Sequence, residues 1–199
     1  MKSSLNWLGE YLKDLVQYYT INNRKIISYL EGIESIADFC CGTGRGTIRI
    51  AETFPEAEVY GFDIMPKFIE KARRKGSRVH FHVRDIYTMD YEYFDAITFY
   101  NASGCLADRV IKYGIEVGAR IIVGKSGCNN FNWLIERYIS YMNKRVGENF
   151  IIPKDFNLQD DYLKGSRRVH DLNRLMKLME SGYKVEYDEE NHIIIAQRE

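Results

Sequence analysis

Residues 36–52, IADFCCGTGRGTIRIAE, place three glycines within five positions, between an apolar run and an amphipathic run. A strand that leads through a glycine-rich turn into a helix brings the main chain close to a ligand at the positive end of that helix. We therefore predict a strand, a ligand-binding turn and a helix that Pro55 ends.

Strand-like and helix-like runs alternate on both sides of this stretch. FDAITFY and ARIIVG are nearly continuous apolar runs, which is typical of strands buried on both faces. RVHFHVRD instead alternates apolar with polar residues, so we predict an edge strand there. The last runs, YKVEY and HIIIA, flank the polar turn DEEN and predict an antiparallel hairpin. The order indicates an α/β fold with a mostly parallel sheet and helices on both faces.

The chain reads as one domain over residues 1–199, with no repeat or linker. Apolar residues at helical spacing predict two helices within residues 1–32, which precede the alternating core. Residues 125–170 do not follow the alternation, and we interpret them as an inserted, lid-like segment.

Composition narrows the functional classes. Lys plus Arg and Asp plus Glu both number 28, so the net charge gives no sign of a polyanionic partner. The four cysteines lack the paired spacing of a zinc site and the density of a secreted disulfide scaffold, so we expect reduced thiols and no metal. No apolar run resembles a signal peptide or a membrane span. We expect a cytoplasmic protein without a membrane partner.

The glycine spacing discriminates between ligands. A dinucleotide-binding turn has the pattern Gly-x-Gly-x-x-Gly, whereas Gly42 and Gly44 are followed by Gly46, one position early. A ligand without a pyrophosphate has less need of that third spacing, and an amino-acid carboxylate can accept hydrogen bonds from the same amides. The loop therefore favours a nucleoside that carries an amino acid.

Acidic residues end three predicted strands. Asp63 follows Gly44 by nineteen residues, the interval at which a carboxylate binds ribose hydroxyls. Asp85 ends the third strand, where it could accept a hydrogen bond from a purine amine. With Asp38 in the first strand, these carboxylates are predicted at the edge where open α/β sheets bind ligands.

The segments IADFCCGTGRG, VYGFDIMPKFIEKAR, VHFHVRDI and FDAITFY, in this order, resemble the class I S-adenosylmethionine-dependent methyltransferases. The ending GYKVEY…HIIIAQR is similar to the terminal hairpin of that family. The resemblance covers roughly residues 33–124 and 171–197. It implies a Rossmann-like, seven-stranded sheet and S-adenosylmethionine as cofactor.

The resemblance also implies roles for particular residues. The glycine loop would lie under the methionine part of the cofactor, the acid at position 63 would bind the ribose, and the acid at position 85 would meet the adenine amine. The residues expected to bind the cofactor are Asp38, Cys40, Gly42, Gly44, Asp63, Ile64, Asp85, Ile86 and Tyr100. Cys40 stands where the family has its first loop glycine. No catalytic base is assigned, because YNASG after the fourth strand matches no substrate-specific pattern.

The sequence leaves several alternatives open. The glycines could serve only a tight turn, and Asp38 could be a structural acid that bonds loop amides. A small-molecule acceptor is favoured by the neutral charge, whereas an RNA or protein acceptor would need a basic groove formed by Arg73, Arg74, Arg167 and Arg168. A third alternative is a non-catalytic protein that only binds the cofactor.

Overall fold

The computed structural model describes residues 24–102, 104–126, 173–188 and 193–198. The first predicted helix, within residues 1–23, and the lid-like segment beyond residue 126 lie outside the described residues. In the part that is described, no helix is long and apolar enough to cross a membrane.

Seven strands form one sheet, as predicted, in the order β3-β2-β1-β4-β5-β7-β6. Strands β1 to β5 are parallel, and β7 runs antiparallel to both β5 and β6, which confirms the terminal hairpin. The strands are β1 (Ser35–Phe39), β2 (Glu58–Asp63), β3 (His80–Val83), β4 (Ala96–Ala102), β5 (Ile121–Ser126), β6 (Lys184–Asp188) and β7 (Ile193–Gln197). The strand order reverses between β1 and β4, and such switch points are where open α/β sheets bind ligands.

Helices cover both faces of the sheet. They are α1 (Arg24–Leu30), α2 (Arg45–Thr53), α3 (Pro66–Arg73), α4 (Gly104–Val117) and a C-terminal helix, α5, whose described part is residues 173–180. One apolar cluster joins α1, α2 and α3 to what we call the first face of the sheet. A second cluster joins α4 and α5 to the opposite, second face. The sheet is therefore a buried central layer.

The alternation of side chains along each strand assigns residues to the two faces. In β4, Ala96 and Tyr100 belong to the first cluster, while Ile97 and Phe99 belong to the second. In β5, Ile121 and Val123 face the first side in the same way. Because successive side chains alternate, Lys125 also lies on the first face.

Strand β3 is the edge strand at one side of the sheet, as the alternating pattern predicts. Arg73 of α3 donates from Nε to the Phe81 carbonyl at 3.0 Å, which occupies one acceptor of this strand. Edge strands with such capped groups are less available for pairing with another chain.

Candidate functional site

The loop after β1 alternates between ordinary and left-handed backbone. Cys40, Gly42 and Gly44 have φ values of 59°, 57° and 75°. The Cys41 amide donates to the Phe62 carbonyl at 3.1 Å, and the Gly44 amide donates to the Cys41 carbonyl at 3.0 Å. These hydrogen bonds hold the loop against β2 at the carboxyl edge of the sheet.

Gly42 and Gly44 are needed for different reasons. A Cβ built on Gly44 would lie 2.4 Å from the Phe81 ring and 2.8 Å from the Ala72 Cβ, so the loop packs too closely there for any side chain. A Cβ on Gly42 would meet nothing within 4 Å. Gly44 therefore serves packing, whereas Gly42 borders open space that a ligand can occupy.

Cys40 is a non-glycine residue in a left-handed conformation. Of the described non-glycine residues it alone has a positive φ. This conformation costs a residue with a Cβ about 1–2 kcal/mol. Strained backbone of this kind is found mainly where function requires it. Its side chain is half-buried against the second cluster.

Asp63 joins the loop to the end of β2. Its Oδ2 accepts a hydrogen bond from the Gly42 amide, and its Oδ1 accepts one from the Met65 amide, both at 2.9 Å. Each carboxylate oxygen has two lone pairs, so acceptor capacity remains for two hydroxyl groups. The loop and this carboxylate thus form one unit.

Asp85 lies two residues beyond the end of β3 and is half-buried. Its Oδ1 accepts a hydrogen bond from the Tyr87 amide at 2.9 Å, which orients the carboxylate in a turn. Ile86 is only 7% exposed, whereas Ile64 is 57% exposed. An exposed Ile64 beside Asp63 provides apolar surface for a flat ring, while Ile86 is mostly part of the second cluster.

Asp38 is buried completely beneath the loop. Thr47 of α2 donates to its Oδ2 at 2.6 Å, and Thr98 of β4 donates to its Oδ1 at 3.0 Å. Burial raises the pKa of Asp38 to about 7, although both hydrogen bonds lower it. The carboxyl group therefore connects α2 with β4, an arrangement that fits the structural alternative for this residue.

The structure corrects the predicted position of Tyr100. The sequence predicts that FDAITFY is a strand and that YNASG begins the stretch after it, but β4 continues to Ala102, so Tyr100 lies within the strand. Its ring is 1% exposed, and its hydroxyl has no hydrogen-bond partner among the described residues. Burial raises the pKa of Tyr100, and so does the nearby Asp38.

Sequence analysis misses Lys125, which it assigns to the inserted segment. The structure instead pairs Lys125 in β5 with Tyr100 in β4. The available signal is a charged residue that follows the apolar run ARIIVG, as Asp63 follows VYGF. Contacts of Asp38 with Thr47 and Thr98 are also missed, since they depend on the register between distant segments.

The described half of the predicted basic groove is engaged within the protein. Arg73 binds the Phe81 carbonyl, and Arg74 forms an ion pair with Glu70 of the same helix. Arg167 and Arg168 lie outside the described residues. The described part of the chain also contains no cluster of three or more His, Cys, Asp or Glu residues that could hold a metal ion.

A glycine loop, two oriented carboxylates and a strand-order reversal lie at one edge of the sheet, where open α/β sheets bind ligands. Residues 36–121 match the family model described as "Methyltransferase domain". This part of the chain is therefore similar to a methyltransferase domain, and it contains β1 to β4 of the seven-stranded sheet.

Two known enzymes resemble part of the chain in sequence. Trans-aconitate 2-methyltransferase of Methylobacterium radiotolerans is 37% identical over 73 residues, which is 37% of this chain and 28% of that enzyme. Malonyl-[acyl-carrier protein] O-methyltransferase 2 of Coxiella burnetii is 40% identical over 55 residues, 27% of this chain and 22% of that enzyme. These matches thus span less than a third of either relative.

The fold extends over more of the chain than the sequence matches. A crystal structure from Methanococcus maripaludis, assigned as an S-adenosyl-L-methionine-dependent methyltransferase, superimposes with a TM-score of 0.62 at 17% identity. The superposition covers 98% of this chain and 91% of that protein. At this identity the similarity supports the fold alone.

Proposed function

We propose that this protein transfers a methyl group from S-adenosylmethionine to a small-molecule acceptor. The observation that carries the proposal is the Gly42–Asp63 unit, in which the amide of the loop glycine donates a hydrogen bond of 2.9 Å to the strand-terminal carboxylate. The open space at Gly42 fits a ligand that approaches the main chain.

The nucleoside part of the cofactor would be held by the ends of β2 and β3. Asp63 has acceptor capacity for the ribose hydroxyls, and Asp85 is oriented to accept from the adenine amine. The exposed Ile64 would contact one face of the adenine, and the mostly buried Ile86 would contact the other face. A charge-assisted hydrogen bond is about twice as strong as a neutral one, so the two acids should dominate nucleoside affinity.

The methionine part would lie along the loop. Gly42 and Gly44 allow the main chain to approach it, and Cys40 adopts the backbone conformation that glycine provides at that position of the family. Asp38 would act from below through Thr47, while Tyr100 borders the same region on the first face.

When bound, the cofactor supplies a methyl group that its sulfonium charge activates. A lone pair of the acceptor forms the new bond to the methyl carbon as the carbon–sulfur bond breaks, and both electrons of that bond remain on sulfur. An acceptor atom that carries a proton releases it to water. Alignment can supply most of the rate enhancement, so the protein needs mainly to position the two molecules.

Two observations support a small acceptor. The matched relatives are named for trans-aconitate, a small carboxylic acid, and for malonyl-[acyl-carrier protein], whose malonyl group also carries a carboxylate. Arg73 is held by the Phe81 carbonyl, so of the two described arginines of the predicted basic groove only Arg74, in an exposed ion pair with Glu70, is left to meet a partner.

Isothermal titration calorimetry tests the proposal. We expect S-adenosylmethionine and its demethylated product, S-adenosylhomocysteine, to bind the full chain, and a nicotinamide dinucleotide to give no measurable heat. Binding of the dinucleotide without a response to either sulfur nucleoside would refute the assignment.

A further inference from the structure

Lys125 and Tyr100 form a pair of hydrogen-bond donors at the carboxyl edge of the sheet. They are register partners in adjacent parallel strands, so their side chains leave the sheet on the same face. Asp38 and Thr98 occupy the row below them on that face. The pair therefore lies directly beside the region assigned to the methionine part of the cofactor.

Neither donor has an acceptor among the described residues. The Tyr100 hydroxyl is buried without a hydrogen-bond partner. The Lys125 side chain is half-buried, and Asp188 is the one described residue whose charge acts on its ammonium. The Tyr100 hydroxyl is thus an unsatisfied buried polar atom beside a partly exposed cation, and such an atom requires an explanation.

Asp188 does not satisfy Lys125. It ends β6, and its register partner Ile193 in β7 stands between it and Lys125. Two strand spacings separate Asp188 from Lys125, roughly 10 Å between main chains. Burial lowers the pKa of Lys125, and the charge of Asp188 only opposes that effect.

We infer that Lys125 and Tyr100 bind a carboxylate of the acceptor, which makes a small carboxylic acid the substrate class. An anion between two donors satisfies both of them, and a charge-assisted hydrogen bond from an ammonium is strong. This inference rests on the proposed function, because it places the acceptor beside the bound cofactor.

Binding measurements test the inference on the full chain saturated with S-adenosylhomocysteine. The probes are trans-aconitate, malonate, succinate and benzoate, each compared with its uncharged amide by calorimetry. We expect at least one acid to bind about tenfold or more tightly than its amide, the effect of one charge-assisted contact. The inference is overturned when no acid shows this preference.

The variant Lys125→Met removes the charge and keeps a chain of similar length. It should abolish the preference for acids and leave affinity for S-adenosylhomocysteine within about twofold. Lys184→Met is the matched control, since Lys184 is exposed at the opposite end of β6. Should Lys125→Met retain the acid preference, the inference fails while the proposed function stands.

Two further variants test the inference in case Lys125→Met does not fold. Lys125→Arg keeps the cation and should keep the preference for acids. Tyr100→Phe should lower the affinity for the acid by about threefold or more and leave the affinity for the amide unchanged. Equal effects of Tyr100→Phe on acid and amide would contradict the pairing.

Cofactor affinity separates the two proposals. A wild-type chain that binds no S-adenosylhomocysteine refutes the proposed function itself. A tenfold loss of S-adenosylhomocysteine affinity in Lys125→Met would instead show that Lys125 holds the carboxylate of the cofactor, and that result overturns the acceptor assignment.

Discussion

At the scale of single residues, Asp38 shows how one buried carboxyl group can make stability depend on pH. It is fully buried, and both of its oxygens accept hydrogen bonds from threonines of other elements. Its folded pKa of about 7 lies above the ordinary value, chiefly because burial disfavours the charge. Its contribution to stability is therefore fully present at acidic pH, below the unfolded pKa, and is lost as pH rises through about 7.

Replacement of this group should remove that dependence. Relative to Asp38→Asn, the wild type should lose roughly 2–3 kcal/mol of unfolding free energy between about pH 5 and about pH 8.5. Urea unfolding of both proteins at the two pH values measures the difference. A wild type that becomes more stable with rising pH, relative to the variant, would show that Asp38 is charged in the folded state.

Cys40 permits a second prediction at this scale. Its φ of 59° strains any residue with a Cβ, whereas glycine adopts this conformation freely. Cys40→Gly and Cys40→Ala both remove the thiol, but only the glycine variant removes the strain. We expect Cys40→Gly to be more stable than Cys40→Ala by about 1 kcal/mol in denaturant unfolding. The reverse order would contradict the left-handed backbone at this position.

At the scale of elements, the loop between β1 and α2 separates packing from ligand binding. Gly44 contacts Phe81 and Ala72, while Gly42 borders open space. Both have positive φ, so alanine strains both positions, but only at Gly44 does it also collide with the core.

This difference predicts that one alanine variant mainly loses stability and that the other mainly loses ligand affinity. Gly44→Ala should lower the unfolding free energy by about 2–5 kcal/mol, since strain and overpacking add. Gly42→Ala should lower the unfolding free energy by only about 1–2 kcal/mol. It should nevertheless lower the affinity for S-adenosylhomocysteine by about tenfold, because the new Cβ would occupy space proposed for the ligand. If the two variants lost equal unfolding free energy and Gly42→Ala kept its affinity for S-adenosylhomocysteine, the separate roles assigned to Gly44 and Gly42 would be refuted.

The same elements show what sequence can and cannot predict. Ligand-binding side chains lie at the ends of parallel strands, so the positions of Asp63 and Asp85 after predicted strands identify them from the sequence. The partners of Asp38 could not, because Thr98 is sixty residues away and its contact depends on strand register. The predicted end of β4 falls too early because the polar Asn101 interrupts the apolar run. Because the sequence also assigns Lys125 to the inserted segment, it does not predict that Tyr100 and Lys125 are neighbours in the sheet.

At the scale of the whole molecule, the two apolar clusters hold the sheet rigid from both sides. The carboxyl edge of the parallel strands remains available for side chains that bind ligands. A rigid scaffold of this kind allows the residues at its edge to set specificity without changes to the core. The cofactor would then be recognised at β2 and β3, and the acceptor at β4 and β5.

The affinity of Asp63→Asn for S-adenosylhomocysteine tests this account most directly. Asp63 is the residue through which the loop, β2 and the ribose would be linked. Glu58→Gln is the control, because Glu58 is exposed at the opposite end of the same strand. Calorimetry should show about tenfold or weaker binding for Asp63→Asn, with Glu58→Gln like the wild type. Unchanged affinity in a folded Asp63→Asn protein would contradict the nucleoside site proposed at this edge.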